Sequence, residues 1–203
     1  QEEGVDGYVV LAPETFFSME KKKFFVIAGA VGKTGDEIYS ILVSRLPEDT
    51  IIFKSFYFIH TYLPVYFVYE HNTVFFASEN ILPSTLCNLN CRDCLNFTPY
   101  IKKHFMETLE ELKSMTDLFF NAVDLVYRFQ VTGGEPLLYK QLLPFLEYID
   151  ANYREKILRF ELVTNGTIIP DDAICRFLKK KICIFFWMII VCHYLMEKNV
   201  ISK

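Results

Sequence analysis

The chain has 203 residues, a formal net charge of −4, 52% hydrophobic residues and six cysteines. That length allows one sizeable core or two small ones. The only basic runs are Lys21-Lys22-Lys23 and Lys179-Lys180-Lys181, so no electrostatic footprint for nucleic acid is present. No segment has the pattern of a secretory leader, so the cysteines point to a reducing, cytoplasmic setting and a metal role rather than a disulfide framework. No run is long enough to span a bilayer, and no membrane partner is expected. The sequence opens on Gln1 and is expected to start inside a longer protein.

Residues 1–80 form the first expected segment. Tyr8-Val9-Val10-Leu11 and Phe24-Phe25-Val26-Ile27 are short apolar runs suited to buried parallel strands. Ile38, Ile41, Leu42 and Arg45 recur at helical spacing, and Thr50-Ile51-Ile52-Phe53 resumes a strand. This alternation predicts a small α/β unit with a parallel sheet, similar to part of a nucleotide-fold-like domain and without evident active residues. Gly29-Ala30-Val31-Gly32-Lys33-Thr34 is two residues too short for a phosphate loop and reads as a strand-to-helix turn. Between Ser55 and Asn80 the chain is dense in Phe and Tyr. His71-Asn72-Thr73 there reads as a hairpin turn between Tyr66-Phe67-Val68-Tyr69 and Val74-Phe75-Phe76.

Beyond residue 80, an apolar segment from Ile81 leads into Cys87, Cys91 and Cys94, a C-x₃-C-x₂-C array on one loop. Three soft sulfur donors suit an iron–sulfur cluster, or zinc completed by another ligand; buried structural thiols remain the plain alternative. Thr98-Pro99 reads as a helix start, with Ile101, Phe105, Leu109 and Leu112 on its apolar face. Arg128-Phe129-Gln130-Val131 is a strand ending at Gly133-Gly134-Glu135-Pro136. A helix carrying Leu138, Leu142, Phe145, Leu146 and Ile149 follows, with Pro144 in its first turn or at a kink. Arg159-Phe160-Glu161-Leu162-Val163 is the next strand, ending at Thr164-Asn165-Gly166-Thr167. Asp171 and Asp172 open a third helix, in which Cys175 sits among apolar neighbours as a small hydrophobe. Ile182 through Val191 carries no charge and fits a buried strand or helix.

The cysteine array, the Gly-Gly-Glu-Pro turn and the Thr-Asn-Gly-Thr turn, in this order and at successive strand ends, resemble the radical S-adenosylmethionine (radical SAM) enzymes. The resemblance implies a partial (β/α) barrel, α/β in class, cut after three to four βα units. It implies a core at 81–181 and an anomalous apolar tail at 182–203. It also implies a 4Fe–4S cluster on Cys87, Cys91 and Cys94 whose open iron is chelated by SAM. SAM would lie against Gly133, Gly134, Glu135 and Asn165, and a flavodoxin- or ferredoxin-like reductant would supply electrons. Reductive cleavage of SAM would yield a 5′-deoxyadenosyl radical that takes hydrogen from an unidentified substrate. The sequence departs from the family at Asp93, where an aromatic residue commonly precedes the third cysteine. The alternatives are a zinc-stabilised binding module and a truncated, inactive family member. A core of this length is expected to be catalytically impaired, since so few units enclose little.

Overall fold

The computed structural model describes residues 11–18, 25–181 and 184–187. The chain divides into two compact units, Gln1–Leu63 and Pro64–Lys203.

In the smaller unit, helix α1 (Pro13–Ser18) precedes strand β1 (Phe25–Ala28), helix α2 (Gly32–Arg45) and strand β2 (Ile51–Lys54). The strands pair in parallel, from Phe25↔Ile51 to Ala28↔Lys54, as strand–helix–strand alternation requires. Gly32 opens α2 at φ +64°, a left-handed conformation that glycine adopts without strain. Gly29–Thr34 is therefore the strand-to-helix turn its spacing suggests. Ala28, Leu42 and Leu46 form the buried centre, with Phe16, Phe17, Val26, Tyr39 and Ile52 packed partly against it. The strand expected at Tyr8–Leu11 falls mostly outside the described residues; Leu11 itself is irregular. A short helix α3 (Ser55–Tyr57) and one π turn (Phe58–Tyr62) end the unit.

The larger unit starts with a difference from expectation. Leu63–His71 is a helix, α4, not the first strand of a hairpin. Asn72 adopts φ +48°; its N–H donates to the Val68 carbonyl at 3.1 Å, and the Thr73 N–H donates to that of Phe67 at 3.1 Å. This pair of bonds is a left-handed helix cap, for which asparagine is a common alternative to glycine. The aromatic, β-branched run has the composition of a strand, yet its local hydrogen bonds close a helix.

Strand β3 (Phe75–Ile81) follows, so the larger sheet begins upstream of residue 81. The sheet is open and parallel, in the order β3-β4-β5-β6, with β4 at Leu125–Val131, β5 at Ile157–Thr164 and β6 at Ile184–Trp187. Helices α5 (Leu109–Ala122), α6 (Leu142–Tyr153) and α7 (Asp172–Lys181) are the crossovers. The expected α/β partial barrel is present as this open run of parallel strands, and part of the apolar tail is its fourth strand. The remainder of that tail, with Cys183 and Cys192, lies outside the described residues.

Helix α5 starts later than Thr98. Thr98–Tyr100 is one 3₁₀ turn, and the α-helix is capped at Thr108. The Thr108 side chain accepts from the Glu111 N–H, while the Thr108 N–H donates to the Glu111 carboxylate at 2.8 Å. This reciprocal capping box satisfies two otherwise orphaned donors. Pro144 sits in the first turn of α6, where its missing N–H breaks no intrahelical bond.

Parallel register sorts the strand residues into two faces. Ile81↔Val131↔Leu162 and Phe129↔Phe160 share one, and these five are buried with Leu112, Phe120, Phe145 and Ile149 of the helices. Each large side chain buried there contributes about 1.5–3 kcal/mol. Ser78↔Arg128↔Arg159 and Asn80↔Gln130↔Glu161 share the other face. Among the described residues, no helix is long and apolar enough to cross a membrane.

Candidate functional site

Parallel strands present all their carboxyl ends on one rim, where α/β folds gather ligands. Three of those ends carry the motifs. After β3 the chain is pinned before it reaches the cysteines. The Thr85 N–H donates to the Phe105 carbonyl at 3.1 Å. The Ser84 hydroxyl donates to the same carbonyl at 3.0 Å, and the Phe105 N–H returns a bond to Thr85 Oγ1 at 3.0 Å.

The β4 end docks on this anchored segment. The Gly134 N–H donates to the Ser84 carbonyl at 3.0 Å and the Glu135 N–H to that of Leu86 at 2.7 Å. A Cβ on Gly134 would overlap the Leu86 carbonyl, so only glycine allows the two backbones to meet here. Gly133, at φ +139°, is the second position closed to other residues. Its carbonyl accepts from Asn96 Nδ2 at 2.5 Å, which fastens the far end of the cysteine loop to the same turn.

Glu135 ties the β4 end to the β5 end. It is 1% exposed and accepts from Thr164 Oγ1 at 2.8 Å, from the Asn165 N–H at 2.8 Å and from the Leu137 N–H at 3.0 Å. These donors answer a buried carboxylate that would otherwise carry the full cost of lost hydration. Asn165 in turn reaches back to the cysteine loop. Its Nδ2 lies 3.0 Å from Asn88 Oδ1 and 3.6 Å from Cys87 Sγ, while Asn88 donates to Thr167 Oγ1 at 2.6 Å.

The result is a cavity of about 80 Å³ lined by all three cysteines, Asp93, Asn96, Thr132, Gly133, Gly134, Val163, Thr164 and Asn165. Cys87, Cys91 and Cys94 are free thiols and half-buried. Burial pushes the Cys91 thiol above its ordinary value, and the neighbouring Cys87 and Cys94 add to the rise. The three cysteines are the groups at this cavity available to a soft metal. Among the described residues, no group of three or more His, Cys, Asp or Glu is gathered tightly enough around one point to hold a single ion.

The structure thus brings together all the residues singled out from the sequence, with Glu135 beneath the rim rather than in the cavity lining. Cys175 stays away from them. It is exposed rather than packed among apolar neighbours, its thiol facing the Pro170 carbonyl at 3.6 Å. Helical spacing places it on the solvent side of α7, where Ile174 and Phe177 take the buried positions. Asn88 and Asn96 escaped the sequence reading. Their one signal was adjacency to motif residues.

The family model for the radical SAM superfamily matches residues 81–186, more than half of the chain. GTP 3′,8-cyclase of Alkaliphilus oremlandii is 34% identical over 89 residues, covering 43% of this chain and 27% of that protein. The GTP 3′,8-cyclase of Pasteurella multocida is 35% identical over 90 residues, covering 43% and 26%. The chain thus spans about a quarter of the length of these curated relatives. Among solved structures, Streptococcus suis SuiB bound to S-adenosylmethionine aligns with a TM-score of 0.41 and 21% identity, covering 59% of this chain and 26% of SuiB. The superfamily is one of enzymes that use a 4Fe–4S cluster and SAM, and this chain belongs to it.

Proposed function

We propose that Cys87, Cys91 and Cys94 hold a 4Fe–4S cluster and that SAM binds beside it, against the Gly133-Gly134 turn and Asn165. The observation that carries this reading is one cavity lined by the three thiols, both glycines and Asn165, which come from three different strand ends. The donor set fits the cluster. A closed zinc site needs four ligands around one centre, and that convergence is absent among the described residues. Cubane thiolates instead each hold a separate iron.

The chain's own residues then have distinct tasks. Asn165 Nδ2 and the Leu89 N–H both approach Cys87 Sγ, at 3.6 and 3.4 Å, and hold that thiolate in place. Gly134 and Gly133 keep the backbone open to a ligand by carrying no Cβ. Glu135 acts from beneath the rim, fixing the Gly-Gly turn relative to Asn165. Asp93, which lines the cavity where the family commonly places an aromatic ring, offers a carboxylate to the hydroxyls or amino groups of SAM. When bound, the cluster supplies the electron for reductive cleavage of SAM, and the radical formed abstracts hydrogen from substrate.

Anaerobic reconstitution with iron and sulfide tests the proposal. The expected product is brown, carries about four irons per chain, and binds SAM by calorimetry. Cys87→Ser, Cys91→Ser and Cys94→Ser should each lose iron, whereas Cys175→Ser should not. A colourless protein that takes up one zinc and ignores SAM would establish the structural-zinc reading instead.

A further inference from the structure

The sheet face opposite the apolar core is not a plain solvated surface. Its register rows place Ser78, Arg128 and Arg159 side by side, and above them Asn80, Gln130 and Glu161. The next residues on the same face are Thr132 and Val163, which line the cysteine cavity. Gln130 and Glu161 are thus one strand repeat below the cavity, roughly 7 Å, and Arg128 and Arg159 two repeats below, roughly 13 Å.

The charges on this face do not balance. Glu161, 1% exposed, pairs with Arg159 at 2.7 Å and accepts from Gln130 Nε2 at 2.6 Å. Among the described residues, no carboxylate pairs with Arg128; its Nε and one terminal nitrogen both point at the neutral Ser78 hydroxyl, at 3.2 and 3.1 Å. Arg159 Nη1 lies 3.5 Å from the Tyr127 hydroxyl, and its Nε is buried without a hydrogen-bond partner among the described residues. Two guanidinium groups directly opposed on neighbouring strands repel each other. An unanswered buried donor calls for an explanation.

We propose that Arg128 and Arg159 bind an oxyanion group, phosphate or carboxylate, of the substrate that reacts at the cavity. A planar guanidinium fork matches such a group, and an anion set between the exposed ends of the two arginines would relieve their repulsion. Glu161 keeps Arg159 oriented and leaves one positive charge in excess. The spacing selects a small molecule whose anionic end lies roughly 13 Å from its reacting end. Calling the ligand a substrate rests on the function proposed above; the anion site itself does not.

The test uses the 203-residue chain and two probes, inorganic phosphate and acetate, each titrated calorimetrically at constant ionic strength against sodium chloride. Saturable binding of either is expected, and the tighter one names the anion class. Arg128→Gln should weaken it about tenfold and Arg128→Lys less. In the unaltered chain, the bound anion should protect Arg128 from phenylglyoxal, read by peptide mass. Binding no better than chloride, unchanged binding in a folded Arg128→Gln variant, or absence of protection would overturn the proposal. Arg128→Gln should leave iron loading and SAM affinity unchanged. Loss of both there would make Arg128 part of the cofactor site and overturn its role toward substrate. A chain that binds phosphate but cannot assemble the cluster would sink the radical reading and leave the anion site standing.

Discussion

The two units are both strand–helix–strand structures, yet they differ in what stands behind their strands. In the smaller one, β1 and β2 form a two-stranded sheet whose buried centre is Ala28, Leu42 and Leu46, and Phe25, Ile51, Phe56 and Tyr57 remain exposed. In the larger one, four strands are backed by α5 and α6, with Phe129, Phe145, Leu146, Ile149 and Phe160 all essentially inaccessible to solvent. A two-stranded sheet with so small a centre is marginal by itself. The motifs lie on the unit that has a core able to hold loops still. A site built from three strand ends depends on that rigidity, because each end must stay within hydrogen-bond distance of the next.

The comparison breaks most visibly at Phe145. Phe145→Ala removes a fully buried ring from the larger core and should cost about 3–5 kcal/mol, measured by urea unfolding followed by circular dichroism. A loss below about 1 kcal/mol would mean this core is no better packed than the smaller one. Leu42→Ala, in the smaller unit, should cost about 2–3 kcal/mol. It should lower the midpoint of an early unfolding phase while leaving the main one in place; a single shifted transition would show that the units unfold together.

Smaller effects sharpen the picture within the larger unit. Thr108→Ala removes the cap of α5 and should cost about 1 kcal/mol, with the main transition alone affected. The smallest is a pH effect. Burial raises the Glu79 carboxyl above its ordinary value of 4.5, so the folded state holds that proton more tightly than the unfolded one. Stability from this group is therefore greatest below 4.5 and declines as pH rises through the folded value. Glu79→Gln should flatten that decline and leave the variant slightly more stable at neutral pH, read from thermal melts across the range.

Much of this was legible in the sequence where hydrophobic pattern and tertiary packing agree. Strands β1 and β2 are short apolar runs, while β4 and β5 set apolar residues on the core face and polar ones such as Arg128, Gln130, Arg159 and Glu161 on the other. The three motif turns fall at strand ends because glycine and asparagine mark where pairing stops. Misreadings arose where local capping overrode composition. The Tyr66–Tyr69 run has strand composition but is closed by the bonds around Asn72, and α5 is capped by the Thr108–Glu111 box rather than starting at Thr98-Pro99. The ties made by Asn88 and Asn96 were legible only as adjacency to the cysteine array. They join residues far apart in sequence, and nothing local distinguishes an asparagine that reaches another loop from one that faces water.

The bond between Asn88 and Thr167 spans 79 residues, and this has a consequence for the order of synthesis. At about 5–20 residues per second, the cysteine loop leaves the ribosome roughly 4–16 s before its last tie exists. During that interval Cys87, Cys91 and Cys94 sit on a nascent chain without the β4 and β5 ends that later hold them, open to oxidation and to wrong metals. Under the proposed function, insertion of a cluster on these thiols would fall late, after translation has passed Thr167.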